Sequence, residues 1–148
     1  CSLIADGHHL PPAVVKTIVR AKTVERCVLV SDITGMGGMP PGVYESTAGL
    51  GSVEVLEDGR LVVPGQRQLL AGAALPIGVG IVKVMEFANL TLESAVNMAS
   101  LGPARIIQYR LPKLEVGAKA DLVFFDIVDG QFEVVATVNA GELVYLKD

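Results

Sequence analysis

The acid best placed to do chemistry is Asp32. It stands at the end of a short apolar, β-branched run, Cys27 to Ser31, and opens the loop ITGMGGMPPG, which holds four glycines and two prolines. Such a run reads as a buried strand. In α/β folds, ligands and chemistry collect where parallel strands end. A carboxylate at that place, at the mouth of a flexible loop, is a catalytic candidate; its bland alternative is a turn cap. The only two histidines sit at another strand end, where Asp6-Gly7-His8-His9 directly follows the run Ser2 to Ala5. Histidines so placed can bind a ligand, hold a metal or take a proton. Neighbouring side chains point in different directions, so His8 and His9 do not supply the three protein ligands of a catalytic zinc.

Two further features are weaker. Gly35, Gly37, Gly38 and Gly42 could turn backbone amides toward a phosphate, but the run lacks both the Walker lysine and the dinucleotide-binding spacing. It reads better as a mobile active-site loop. Leu70 to Leu75, LAGAAL, could line the same pocket or form a close-packed entry to a helix. Cys27 follows Arg26 but lies inside an apolar run, which argues against a nucleophile.

The elements that must hold these residues can be read in order. Cys1 to Ile4 is strand-like. Pro11 and Pro12 then lead into AVVKTIVRAK, and proline suits a first helical turn. Val14, Val15, Ile18, Val19 and Ala21 make the apolar face; Lys16, Arg20 and Lys22 point outward. Strand, helix and strand form a βαβ unit with parallel strands, which sets the Asp6–His9 loop beside the Asp32 loop. Gly51 to Val63 alternates about Asp58-Gly59 and predicts a hairpin. Gln68 to Leu75 reads as a loop and Ile77 to Phe87 as a buried helix. Thr91 is the N-cap of a helix running to about Ala99, with Glu93 in its first turn. Pro103 opens a short helix over 104–108. From Leu114 the pattern is β: a buried strand, DLVFFD, at Asp121 to Asp126, then a hairpin of Phe132 to Val138 and Glu142 to Leu146.

Composition narrows the function classes. The 148 residues carry a formal net charge of −4, with 51% hydrophobic and 19% charged residues, and mean hydropathy is +0.50. So apolar a chain of this size is expected to bury faces against other segments or to self-associate. The longest uncharged stretch, Gln68 to Val82, holds three Gly and a Pro and is too short and broken to span a bilayer. Lys and Arg are scattered, with no basic stripe for nucleic acid. Both cysteines read as buried thiols of a reducing compartment, so a cytoplasmic location is expected. The chain starts with Cys inside a strand-like run, so it is expected to be a fragment of a longer protein.

Five stretches occur in one order: IADGHHLPP, LVSDITGMGGMPPGVYE, LEDGRLV with LLAGAAL, NMASLGPARIIQ, and KLEVGAKADLVFFD. Together they resemble the carboxyl-terminal half of an amidohydrolase-superfamily enzyme. The last stretch is common to the superfamily. The pairing of ADG-x-H with SD-x-TG is most similar to the N-acetylglucosamine-6-phosphate deacetylase type. The resemblance implies an α/β fold: the C-terminal part of a TIM-like (β/α)8 barrel plus strands of a small β-sandwich. Residues 1–50 would hold barrel strands seven and eight, their helix and the active-site loop. Residues 51–65 would be a hairpin insertion, 66–110 the helical part of the barrel domain, and 111–148 the sandwich strands.

By the same resemblance, Asp32 matches the catalytic aspartate that handles the proton of a metal-bound water, and His9 the substrate-contacting histidine. Gly72 and Ala73 would line the sugar pocket. A divalent metal, zinc by family habit, belongs to the full-length parent. Its ligands lie on earlier strands in the family, so no metal is expected in this chain and it is expected to be inert alone. The family often has a hydroxyl residue where this chain has Ala73 and Ala74, which leaves another N-acyl or cyclic amide open as substrate. The expected partners are a small-molecule substrate and further copies of the chain, with no nucleic acid and no membrane. The alternatives are a dihydroorotase- or aminoacylase-like enzyme and a non-catalytic module that binds through its strand edges.

Overall fold

A computed structural model describes residues 1–45, 51–111 and 114–147. The chain is α/β, and the described residues form three separate sheets. The first is the predicted parallel pair, β1 (Ser2–Leu3) and β2 (Val28–Leu29), joined by helix α1 (Pro12–Lys22) and a 3₁₀ turn at Val24–Arg26. Ladder bonds reach past the named strands, from the Val28 amide to the Cys1 carbonyl (2.8 Å) and from the Val30 amide to the Leu3 carbonyl (3.0 Å). Only Val15 and Val19 of α1 are buried; Val14 and Ala21 are exposed, so the covered stripe is narrower than the apolar spacing suggests. Cys27 is buried as expected, but Cys1 is exposed: its carbonyl enters the ladder, while no element covers its side chain.

The second sheet is larger than the predicted hairpin. Strands β3 (Gly42–Glu45), β4 (Ser52–Val55), β5 (Leu61–Val63) and β6 (Gln66–Leu70) form an antiparallel meander. Its β4–β5 hairpin turns at Leu56 to Arg60, where Gly59 takes φ +80°. Three of the eight residues read as a loop over Gln68 to Leu75, namely Gln68 to Leu70, therefore belong to β6. The glycine and alanine that follow at 71–74 suggested a loop, and β6 itself carries no buried alternation to mark it as a strand, being exposed along most of its length. Val53, Val55, Leu61 and Ala74 form the core under this sheet.

Helix α2 (Ile77–Ala88) packs on α1 and β2, and α3 (Leu92–Ala99) on α2 and β2; their buried residues join Leu3, Ala5, Val15 and Leu29 in the main core. Glycine within α2 has a packing reason: a Cβ on Gly78 would meet Phe132 Cδ1 at 2.6 Å. Thr91 caps α3 as predicted, its Oγ1 accepting from the Ser94 amide at 3.2 Å. Helix α4 spans Leu101–Ile106, so Pro103 lies in its first turn instead of preceding it. The third sheet, β7 (Leu122–Val128), β8 (Gln131–Asn139) and β9 (Glu142–Leu146), is the predicted antiparallel tail. It corrects one expectation. The DLVFFD strand is not buried: Val123 and Phe124 are each 53% exposed. Among the described residues the sheet meets α2 through Phe132 against Gly78, and Phe125 stacks on Phe132 at 4.3 Å within the sheet.

Candidate functional site

The pairing of Leu3 with Leu29 sets the geometry. Asp6 and Asp32 each lie three residues beyond that pair, on adjacent parallel strands whose spacing is about 4.8 Å. The two strand-end loops therefore emerge side by side, as the βαβ pattern requires.

Asp6 is 8% exposed. Its Oδ1 accepts from the amides of His8 (2.9 Å) and His9 (3.0 Å), and its Oδ2 lies within hydrogen-bond distance of His9 Nδ1, at 2.7 Å. Burial works to raise the Asp6 carboxyl, but the two amides and the His9 ring outweigh it and hold the group below its ordinary range. His9 is thereby fixed against the loop it belongs to. Sequence reading treated Asp6 only as a strand-end acid; the D-x-x-H spacing was the available signal for this pair.

Asp32 is exposed and takes φ +50°, the left-handed region. Aspartate visits that region more readily than most residues, and backbone held there is a mark of functional loops. The loop it opens is tied down at once. Ile33 forms a parallel bridge with Ala73, and the Thr34 amide donates to the Ala73 carbonyl at 2.9 Å. Gly72, at φ +130°, lies so close that a Cβ would meet Thr34 Cγ2 at 2.9 Å. The structure thus brings Asp32 together with Gly72 and Ala73. The Ala73 side chain is buried, so only backbone could face a ligand there.

The second sheet supports this junction from behind. The Ala71 amide donates to the Leu61 carbonyl at 2.9 Å, and a Cβ on Gly59 would meet Leu75 Cδ2 at 2.5 Å. Burial tends to raise the Asp58 carboxyl, but the Arg60 amide and guanidinium hold it low, with a smaller contribution from His8 nearby. Among the described residues, no group of three or more His, Cys, Asp or Glu side chains is gathered to hold a metal ion. His9 Nδ1 is already engaged by Asp6, and Asp32 is a single carboxylate. These residues do not build a complete metal site among themselves.

The family model of the amidohydrolases matches residues 3–144. The chain belongs to the amidohydrolase family. It is 33% identical to the human N-acetylglucosamine-6-phosphate deacetylase over 148 residues, which is 99% of this chain and 34% of the human protein. It is 35% identical to an N-acetylgalactosamine-6-phosphate deacetylase of Escherichia coli O157:H7, over 84% of this chain and 32% of that one. A D267A mutant of the N-acetyl-D-glucosamine-6-phosphate deacetylase from Mycobacterium smegmatis, solved with N-acetyl-D-glucosamine-6-phosphate, superposes with a TM-score of 0.82 at 30% identity. That match covers 97% of this chain and 37% of the other. The expected likeness to the deacetylase type is thereby confirmed, and this amidohydrolase chain spans about a third of the length of the curated relatives it matches.

Proposed function

We propose that this chain is the acid–base and substrate-contacting part of an amide hydrolase acting on an N-acetylated amino-sugar phosphate. The observation that carries the reading is the junction at the strand ends, where the Asp32 loop is bridged to Ala73 beside the Asp6–His9 loop. In this role Asp32 takes a proton from the attacking water and returns it to the leaving amine. His9, oriented by Asp6, contacts the substrate, and the backbone at Gly72 and Ala73 lines the sugar side of the pocket. Relatives named for this substrate class support the choice.

The fold proposed to hold this site is a TIM-like barrel, with β1 and β2 as strands seven and eight and β7 to β9 as part of a small β-sandwich. Metal dependence is part of the proposal, with the ligand residues lying outside the 148. No step is assigned to the metal because the residues present do not build its site. The chain alone is then expected to be inert, and its purified form should retain no stoichiometric zinc after dialysis. Zinc bound one-to-one would overturn the claim that these residues lack a ligand set. We further propose a cytoplasmic, homo-oligomeric enzyme with a small-molecule substrate. The two free thiols and the exposed apolar residues of β7 and β9 support this. A monomer in sedimentation at micromolar concentration would count against self-association.

The deciding experiment grafts these residues onto the remainder of a deacetylase of this type and measures acetate release. The graft is expected to hydrolyse N-acetylglucosamine 6-phosphate. In it, Asp32→Asn should lower kcat about 10²- to 10⁴-fold, the usual contribution of a positioned acid–base group, with KM changed only slightly. Unchanged turnover in Asp32→Asn would remove Asp32 from the reaction. N-acetylgalactosamine 6-phosphate is the competitor to run alongside, given the relative named for it.

A further inference from the structure

We infer that Asp6 is a positioning residue that locks His9 in the tautomer carrying hydrogen on Nδ1, leaving Nε2 as the ring's one free nitrogen. The inference deepens the proposed function and rests on it, since an oriented His9 bears on the reaction only where His9 meets substrate.

Asp6 is the one buried charged side chain among the described residues. A buried carboxylate is costly unless its oxygens are satisfied, and here all the recorded donors come from one short loop. The two amides on Oδ1 are enough to cap the turn at Gly7. The bond from Oδ2 to His9 Nδ1, at 2.7 Å, adds nothing to that cap. It acts on the ring. An ionised carboxylate only accepts, so Nδ1 must be the N–H of the pair. In the neutral ring Nε2 then carries a lone pair. This is the general arrangement in which the partner of one ring nitrogen decides what the other can do. The consequence is chemical. While the ring is neutral, Nε2 can accept from a substrate hydroxyl and cannot donate to an amide carbonyl.

The test is long-range ¹H–¹⁵N correlation NMR on the ¹⁵N-labelled 148-residue chain, followed upward in pH until the ring signals stop moving. Two histidines make the spectrum simple, and His8→Gln assigns it. His9 should show a pyrrole-type Nδ1 and a pyridine-type Nε2. In Asp6→Asn the carboxamide keeps an oxygen for the two loop amides and turns its NH₂ toward the ring, so His9 should move to the opposite tautomer while the His8 signals stay. A wild-type His9 protonated on Nε2, or an even mixture of tautomers, overturns the inference. If Asp6→Asn fails to fold, seen as lost amide dispersion, the wild-type spectrum decides alone. The measurement needs no substrate or turnover. Failure of the grafted enzyme to release acetate would sink the proposed function and leave the tautomer standing, and a wrong tautomer would leave the hydrolase reading standing.

Discussion

Single residues carry the chemistry, and two carboxylates at equivalent places do different things. Asp6 is buried and committed to its own loop, whereas Asp32 is exposed and faces outward from a left-handed backbone. Their pH behaviour should differ accordingly. The Asp6 carboxyl is depressed below its ordinary value of 3.8, so its stabilisation is complete above that value and is lost as pH falls through the folded one. The urea midpoint should therefore drop between pH 5 and pH 3 more in the wild type than in Asp6→Asn, measured by far-UV circular dichroism. An equal drop in both would show that Asp6 contributes nothing to acid sensitivity. Asp6→Ala should cost roughly 1–3 kcal/mol, because it leaves the loop amides and the His9 ring unpartnered.

At the scale of elements, the four-stranded meander acts as a strut for the Asp32 loop. Leu61 is 2% exposed beneath it, and its carbonyl holds the Ala71 amide two residues before Ala73. Leu61→Ala should destabilise by about 2–5 kcal/mol, the usual range for opening a cavity of that size. Hydrogen exchange at the Thr34 amide, which donates to Ala73, should accelerate more than exchange in α3. Slow exchange at Thr34 in that variant would mean that the loop does not depend on the meander. Gly72→Ala forces an unfavourable φ and a contact with Thr34, a strain of about 1–3 kcal/mol, and should loosen the same amide. Thermal unfolding and exchange at Thr34 check it together.

Across the whole molecule, two cores and a third sheet are held together by few contacts. The β7–β9 sheet leans on α2 through Phe132 over Gly78. Gly78→Ala would overpack that contact, at a cost of about 1–3 kcal/mol. The expected result is a lower urea midpoint with altered Phe125 and Phe132 ring resonances, since Phe132 is the ring that Gly78 meets and Phe125 stacks on it. Unaltered ring signals would show that the sheet does not depend on α2. Part of the apolar surface that made the composition unusual lies on this sheet, where Phe124, Leu143 and Leu146 are all more than half exposed.

Local order was legible in the sequence because it rests on short-range rules. Proline at the start of α1, Thr91 at the cap of α3, the strand alternation and the turn at Asp58-Gly59 each follow from a few adjacent residues. The βαβ order was enough to predict that the Asp6 and Asp32 loops would be neighbours, since a parallel pair with one crossover puts both strand ends on one side. The polar strand β6, the exposure of DLVFFD and the exposure of Cys1 were not legible. Burial depends on what packs against an element, and spacing along the chain does not record that. The sequence alone therefore determined which residues stand at the strand ends and which family they resemble. Tertiary structure alone decided that Asp6 turns inward to grip His9, that Asp32 turns outward, and that Ala73 is bridged to Ile33. Those outcomes depend on backbone dihedrals and on contacts between residues up to 40 positions apart.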